Sequence, residues 1–148
     1  MKAPLMFLPI AFCAMAQPGR QLVHADSSVR RIALVIGNDA YPGKPLHNAV
    51  NDARSMKSAL EDARFTVQIH VDTTQQQMET AIDDFTASVN PGDIALFFYA
   101  GHGMQINDQN YLIPIDFRAR TAVDAKYKAY PAQRVQERLE EEPGCRSW

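Results

Sequence analysis

The sequence predicts an α/β domain, a mostly parallel sheet with helices on both faces. Two apolar runs, residues 31–36 (Arg-Ile-Ala-Leu-Val-Ile) and 94–98 (Ile-Ala-Leu-Phe-Phe), lack polar alternation, as strands buried on both faces do. Between them, two segments with apolar residues at helical spacing flank one alternating strand. Strand, helix, strand, helix, strand is the order of a doubly wound sheet. The 148 residues, 46% of them hydrophobic, suffice for one domain with a core. A net charge of −2 gives no basic footprint for nucleic acid.

Residues 1–16 read as a secretory signal peptide. Lys2 is a short positive region, residues 3–14 are apolar apart from two prolines, and Ala14-Met15-Ala16 has the small-x-small form of a cleavage site. The apolar stretch is shorter than the ~20 residues that span a bilayer. The expectation is an exported chain, periplasmic or secreted, with no membrane attachment after cleavage. Cleavage would remove Cys13 and leave Cys145 as the lone cysteine, which excludes an intrachain disulfide and a multi-cysteine metal site. Residues 17–30 form a linker, 31–142 the domain, and 143–148 an irregular tail.

The first strand ends at Gly37, and a turn-rich loop with Pro42-Gly43 follows. Leu46, Ala49, Val50, Ala53, Met56 and Leu60 then mark an amphipathic helix to about Ala63. Residues 65–71 alternate, as an edge or half-covered strand does. Asp72-Thr73-Thr74 supplies capping residues for a second helix with Met78, Ile82, Phe85 and Val89 on its apolar stripe, stopped by Asn90-Pro91-Gly92. After the strand at 94–98, residues 104–113 form a small hairpin around Asn107-Asp108. Val135 and Leu139 belong to a third helix ending near Glu142.

Chemistry concentrates in Tyr99-Ala100-Gly101-His102-Gly103. The glycines are expected to turn the chain sharply through φ > 0, holding His102 at the mouth of the sheet as a general base. The N–H of Gly103 is a candidate oxyanion donor. Asp52, on the first helix, lies near the same mouth, and from spacing alone it reads as a solvated or capping aspartate. A phosphate loop is excluded. Five residues separate Gly37 from Gly43, and Pro45 stands where a hydroxyl residue is required. No Gly-x-Ser-x-Gly is present, and the four histidines have no metal-ligand spacing.

Residues 31–38, Leu46-x-Asn48-Ala49-Val50-Asn51-Asp52-Ala53, residues 98–103, and Asn110-Tyr111-Leu112-Ile113-Pro114-Ile115-Asp116 together resemble the bacterial caspase-like, metacaspase-related family in its large-subunit domain. The resemblance implies a three-layer caspase-like fold and a cysteine endopeptidase with a His-Cys dyad acting on peptide or protein substrates without a cofactor. It matches His102 to the dyad histidine, Gly103 to the oxyanion-hole glycine, and Asp52 to the acid that receives a substrate Lys or Arg. The alternative is a catalytically inactive caspase-fold binding or regulatory domain.

The chain departs from that family near its end. The family nucleophile follows a buried strand in Asp-x-Cys-Arg, whereas here Glu140-Glu141-Glu142 leads directly into Pro143-Gly144-Cys145-Arg146. A five-residue strand would cover about 17 Å at ~3.3 Å per residue, and Pro143 and Gly144 cannot replace it. The expectation is a chain truncated before the nucleophile strand, with Cys145 in a loose tail. The strand at 94–98 should then be a bare edge that invites pairing with another chain.

Overall fold

The computed structural model describes residues 6–7, 10–15 and 29–141. The tail 143–148 with Cys145, and all but the last two residues of the linker 17–30, lie outside the described residues. The elements are β1 (Met6–Phe7), β2 (Ile10–Met15), β3 (Arg31–Gly37), α1 (Ala49–Asp62), β4 (Thr66–Val71), α2 (Gln75–Ser88), β5 (Ile94–Ala100), β6 (His102–Ile106), β7 (Gln109–Leu112), α3 (Ala122–Lys128), β8 (Tyr130–Pro131) and α4 (Ala132–Glu141).

The main sheet has the order β2-β5-β3-β4. β3 runs parallel to both β4 and β5. Period-two alternation sends successive β3 side chains to opposite layers. Ala33 and Val35 pack with Ala49, Ala53 and Leu60 of α1. Leu34 and Ile36 pack with Met78, Ile82 and Phe85 of α2 and with Val135 and Leu139 of α4. The predicted α/β architecture with helices on both faces is thus present, and the alternating strand β4 is the edge.

The helix ends follow their chemistry. The Thr74 hydroxyl and the Gln77 side chain form a reciprocal capping box that starts α2. At α1 the cap comes from a distance, the Asp39 carboxylate accepting from Ala49 N (2.8 Å) and Val50 N (3.1 Å). A negative charge there also complements the helix dipole. A Cβ on Gly37 would lie 2.6 Å from Ala53 Cβ, so only glycine lets α1 cross this close to the end of β3. α3, within the polar stretch before the last helix, has no counterpart in the sequence expectation. It is seven residues long, too short for a periodic signal, and is capped by the Thr121 hydroxyl.

A second sheet, ordered β1-β6-β7-β8, continues from the end of β5. The expected hairpin is β6 and β7, with Asn107 (φ 51°) and Asp108 (φ 62°) both left-handed, as a two-residue primed turn requires.

The N-terminal segment corrects one expectation. The far edge of β5 is not bare, because β2 pairs antiparallel along it from Ile10↔Tyr99 to Met15↔Ile94, and β1 extends the pairing to His102 and Gly103. Nor is the segment outside the fold, as its sequence suggested. An apolar strand with unpaired N–H and C=O groups takes the nearest apolar strand-former, here in the same chain.

Deleting residues 1–16 should uncover this edge and shift the protein toward dimers and larger species in size-exclusion chromatography with light scattering. A truncated chain with the full chain's mass distribution and melting behaviour would contradict the role given to β2.

At the other end of β5, Asp93 accepts from Arg30 Nε at 3.1 Å on both oxygens and from Asn90 N at 2.7 Å. The Arg30 hydrogen bond holds this carboxyl below its ordinary pKa. A depressed folded-state pKa contributes stability above the ordinary carboxylate value of about 3.9, lost as pH falls through the folded value. Asp93→Asn should therefore lower the urea midpoint at pH 7, with the difference from the parent closing as the pH falls below the ordinary carboxylate value.

Candidate active site

The site forms where β5 ends and β6 begins. β5 is apolar along both faces except for Tyr99, whose ring is fully buried and whose hydroxyl points into the turn. Beside it lies Tyr41, from the loop after β3, also buried. The two hydroxyls are 3.0 Å apart. His102 N–H donates to Tyr41 Oη (3.0 Å), and the His102 carbonyl accepts from Tyr99 Oη (2.9 Å) and Ile113 N (3.1 Å). Both hydroxyls also reach the Ile113 carbonyl, at 2.9 Å from Tyr41 and 2.8 Å from Tyr99. Two hydroxyl protons and two amide protons thus serve a closed set of acceptors. Burial raises the pKa of both tyrosines, that of Tyr99 strongly, so both stay neutral donors.

This network changes the role of the glycines. Neither Gly101 nor Gly103 adopts a left-handed φ. Gly101 is required by space, since a Cβ there would lie 2.4 Å from Tyr99 Oη and 2.6 Å from Tyr41 Oη. The turn is shaped by two hydroxyls closing on a bare backbone rather than by glycine's access to positive φ.

The His102 side chain is partly exposed. Its ring sits 4.4 Å from that of Tyr41, tilted by 54°. Nε2 lies 2.9 Å from the Lys44 carbonyl oxygen. A carbonyl only accepts, so Nε2 carries the proton and Nδ1 is left with a free lone pair. The loop 41–44 therefore fixes both the ring plane and the tautomer. A backbone carbonyl has no sequence signature, so Lys44 could not be read as a site residue. Tyr99 had a faint signal, as the only polar atom in an otherwise apolar run.

Gly103 lies opposite Leu112. Because Ile113 N bonds the His102 carbonyl, the Gly103–Leu112 pair is a non-hydrogen-bonded one. The Gly103 N–H therefore faces the outer edge of β6, the edge along which Met6 and Phe7 pair. Asp52 is exposed in the first turn of α1, its N–H bonded to the Asn48 carbonyl at 2.7 Å. Asn38 ties the strand ends together. Its N–H donates to the Ala100 carbonyl (2.9 Å), and its Oδ1 accepts from Thr73 N (2.8 Å). α1 starts at this same end of the sheet, so Asp52 and His102 share it, although Asp52 does not line the pocket beside the imidazole. Cys145, outside the described residues, is not placed.

Gly101→Ala should cost about 1–3 kcal/mol, the range for overpacking a closed site. Tyr41→Phe should cost about 1–3 kcal/mol by orphaning the His102 N–H. Both are read by urea denaturation, and a wild-type midpoint for either would refute the hydroxyl network as the clamp on this turn.

A family model described as the caspase domain matches residues 30–143. The chain is also similar to the human mucosa-associated lymphoid tissue lymphoma translocation protein 1, 31% identical over 87 residues, covering 58% of this chain and 11% of the relative. The mouse homologue matches at 31% over 87 residues, with 58% and 10% covered. The chain thus spans about a tenth of the length of these curated relatives. The matched region runs from the start of β3 to beyond α4 and contains the histidine turn, the parallel sheet and both helical layers, and the chain belongs to the caspase-domain peptidase family.

Proposed function

We propose that this caspase-like domain supplies the base half of a cysteine endopeptidase site, with His102 as general base and Gly103 N–H as oxyanion donor. The observation that carries the reading is the Nε2 to Lys44 carbonyl contact of 2.9 Å, which leaves Nδ1 as the acceptor. A cysteine thiol passes its proton to Nδ1, and the thiolate sulfur attacks the scissile carbonyl carbon. The carbonyl electron pair moves onto oxygen, where the Gly103 N–H stabilises it. As the tetrahedral intermediate collapses, Nδ1–H protonates the departing amine and an acyl-enzyme remains. Water, deprotonated by Nδ1, then releases the acid and restores the thiol. The imidazolium formed between these steps keeps its Nε2–H on Lys44, so the ring need not turn.

For the substrate we assign cleavage after Lys or Arg, with Asp52 receiving the cation. Support comes from the resemblance of the Asn48–Ala53 segment and from the exposed carboxylate at the sheet end that carries His102. Cys145 is the one candidate thiol left after cleavage before Gln17. The leader-like pattern of residues 1–16 supports an exported chain, and removing that leader would also free the outer edges of β5 and β6.

The second reading, a non-catalytic binding or regulatory domain, is favoured by one observation. While Met6 and Phe7 pair with Gly103 and His102, the Gly103 N–H faces its own chain instead of a substrate.

Hydrolysis of fluorogenic Arg- and Lys-ended peptides separates the two readings. Activity that falls at least 10²-fold in His102→Ala and in Cys145→Ala is expected of the peptidase. Asp52→Ala should raise KM for basic peptides with little change for neutral ones. Absence of turnover in both the full chain and the chain starting at Gln17 would favour the binding domain.

A further inference from the structure

A pocket of about 360 Å³ opens beside the imidazole. It follows from the strand period. His102 and Met104 are two residues apart on β6 and share a face, and Ile113, Ile115 and Phe117 continue the same apolar wall beyond β7. The volume is at the low end for ligand sites, which run from ~300 to ~1,000 Å³, and suits one large side chain rather than an extended ligand.

Its charge is one-sided. Among the described residues, Lys44 and Arg118 are the lining residues that carry a full positive charge. Among the described residues no carboxylate lines it, and the nearby acids on the flanking loops are engaged elsewhere. Asp39 caps α1, and Asp116 Oδ1 accepts from Gln75 N at 2.9 Å. A third cation sits close to the rim, since Lys128 Nζ donates to the Arg118 carbonyl at 2.7 Å. Among the described residues, neither Lys44 nor Arg118 has an ion-pair partner. A basic substrate side chain gains nothing here, so this subsite is distinct from the one assigned to Asp52.

We propose that the pocket beside His102 binds a bulky apolar side chain of a peptide whose adjoining residue carries a carboxylate, which Lys44 and Arg118 receive at the rim. The inference deepens the peptidase reading and rests on it for the peptide's presence. Apolar walls supply the affinity, and the two cations select the neighbouring charge.

The test is ¹H–¹³C NMR of the full chain titrated with three probes, N-acetyl-Phe-Asp-amide, N-acetyl-Phe-Lys-amide and N-acetyl-Ala-Asp-amide. The first should shift the His102 ring and Met104 methyl signals at lower concentration than either of the others. In the Lys44→Ala/Arg118→Ala double variant, which alters two surface side chains and leaves the Lys44 carbonyl in place, the preference for Phe-Asp over Phe-Lys should fall by about fivefold, as exposed charge pairs allow. Equal response to all three probes, no response, shifts confined to the first turn of α1, or a preference unchanged in the double variant would each overturn the proposal. Binding is read without turnover. A chain that binds Phe-Asp and cleaves nothing therefore sinks only the peptidase reading, and one that cleaves basic peptides without these shifts sinks only the pocket assignment.

Discussion

β5 must be covered on both faces and paired along both edges, and the rest of the molecule is arranged around that demand. Its side chains alternate between the α1 layer, through Phe98 and Ala100, and the α2–α4 layer, through Ala95, Phe97 and Tyr99. One edge is met by β3 in parallel register, the other by β2 antiparallel. A strand of this composition left open would be the chain's strongest site for association, because the apolar surface and the unpaired backbone coincide. Residues 10–15 are drawn onto the sheet for that reason.

The same strand sets the chemistry. Rigid pairing on both sides fixes where Ala100 ends, and the Tyr41–Tyr99 hydroxyls then fix the turn that presents His102. His102 is held at both ends, its main-chain N–H donating to the Tyr41 hydroxyl and its ring Nε2–H to the Lys44 carbonyl. In the proposed reaction, preorganisation of this kind means that no donor or acceptor beside the ring has to move. It also explains how a partly exposed histidine in a short turn can be kept in a single tautomer.

Two functions meet at one edge. The Gly103 N–H that would serve an oxyanion faces the same side of β6 that Met6 and Phe7 occupy. Under the proposed reading, cleavage before Gln17 would free the outer edge of β6 and expose β5 in a single event. The apolar pocket lies on a face of β6 rather than on this edge, so its walls stand whether or not β1 is present.

Periodicity and punctuation were enough to determine the three strands of the parallel sheet, the two flanking helices and the Asn107-Asp108 hairpin, because each depends on contacts or dihedrals within a few residues. The Gly-His-Gly turn stood out for the same reason, and four ordered motifs pointed to the family. Tertiary structure alone decided what those local signals could not contain. The Asp39 cap on α1, the Lys44 carbonyl on His102 and the Tyr41 hydroxyl on the His102 N–H all join residues 10 to 61 positions apart, and the space that makes Gly101 obligatory is announced by no residue type. The pairing of residues 10–15 with β5 belongs to the same class. An apolar stretch reads alike as a leader or as a strand, and only an edge elsewhere in the chain that must be satisfied tells the two apart.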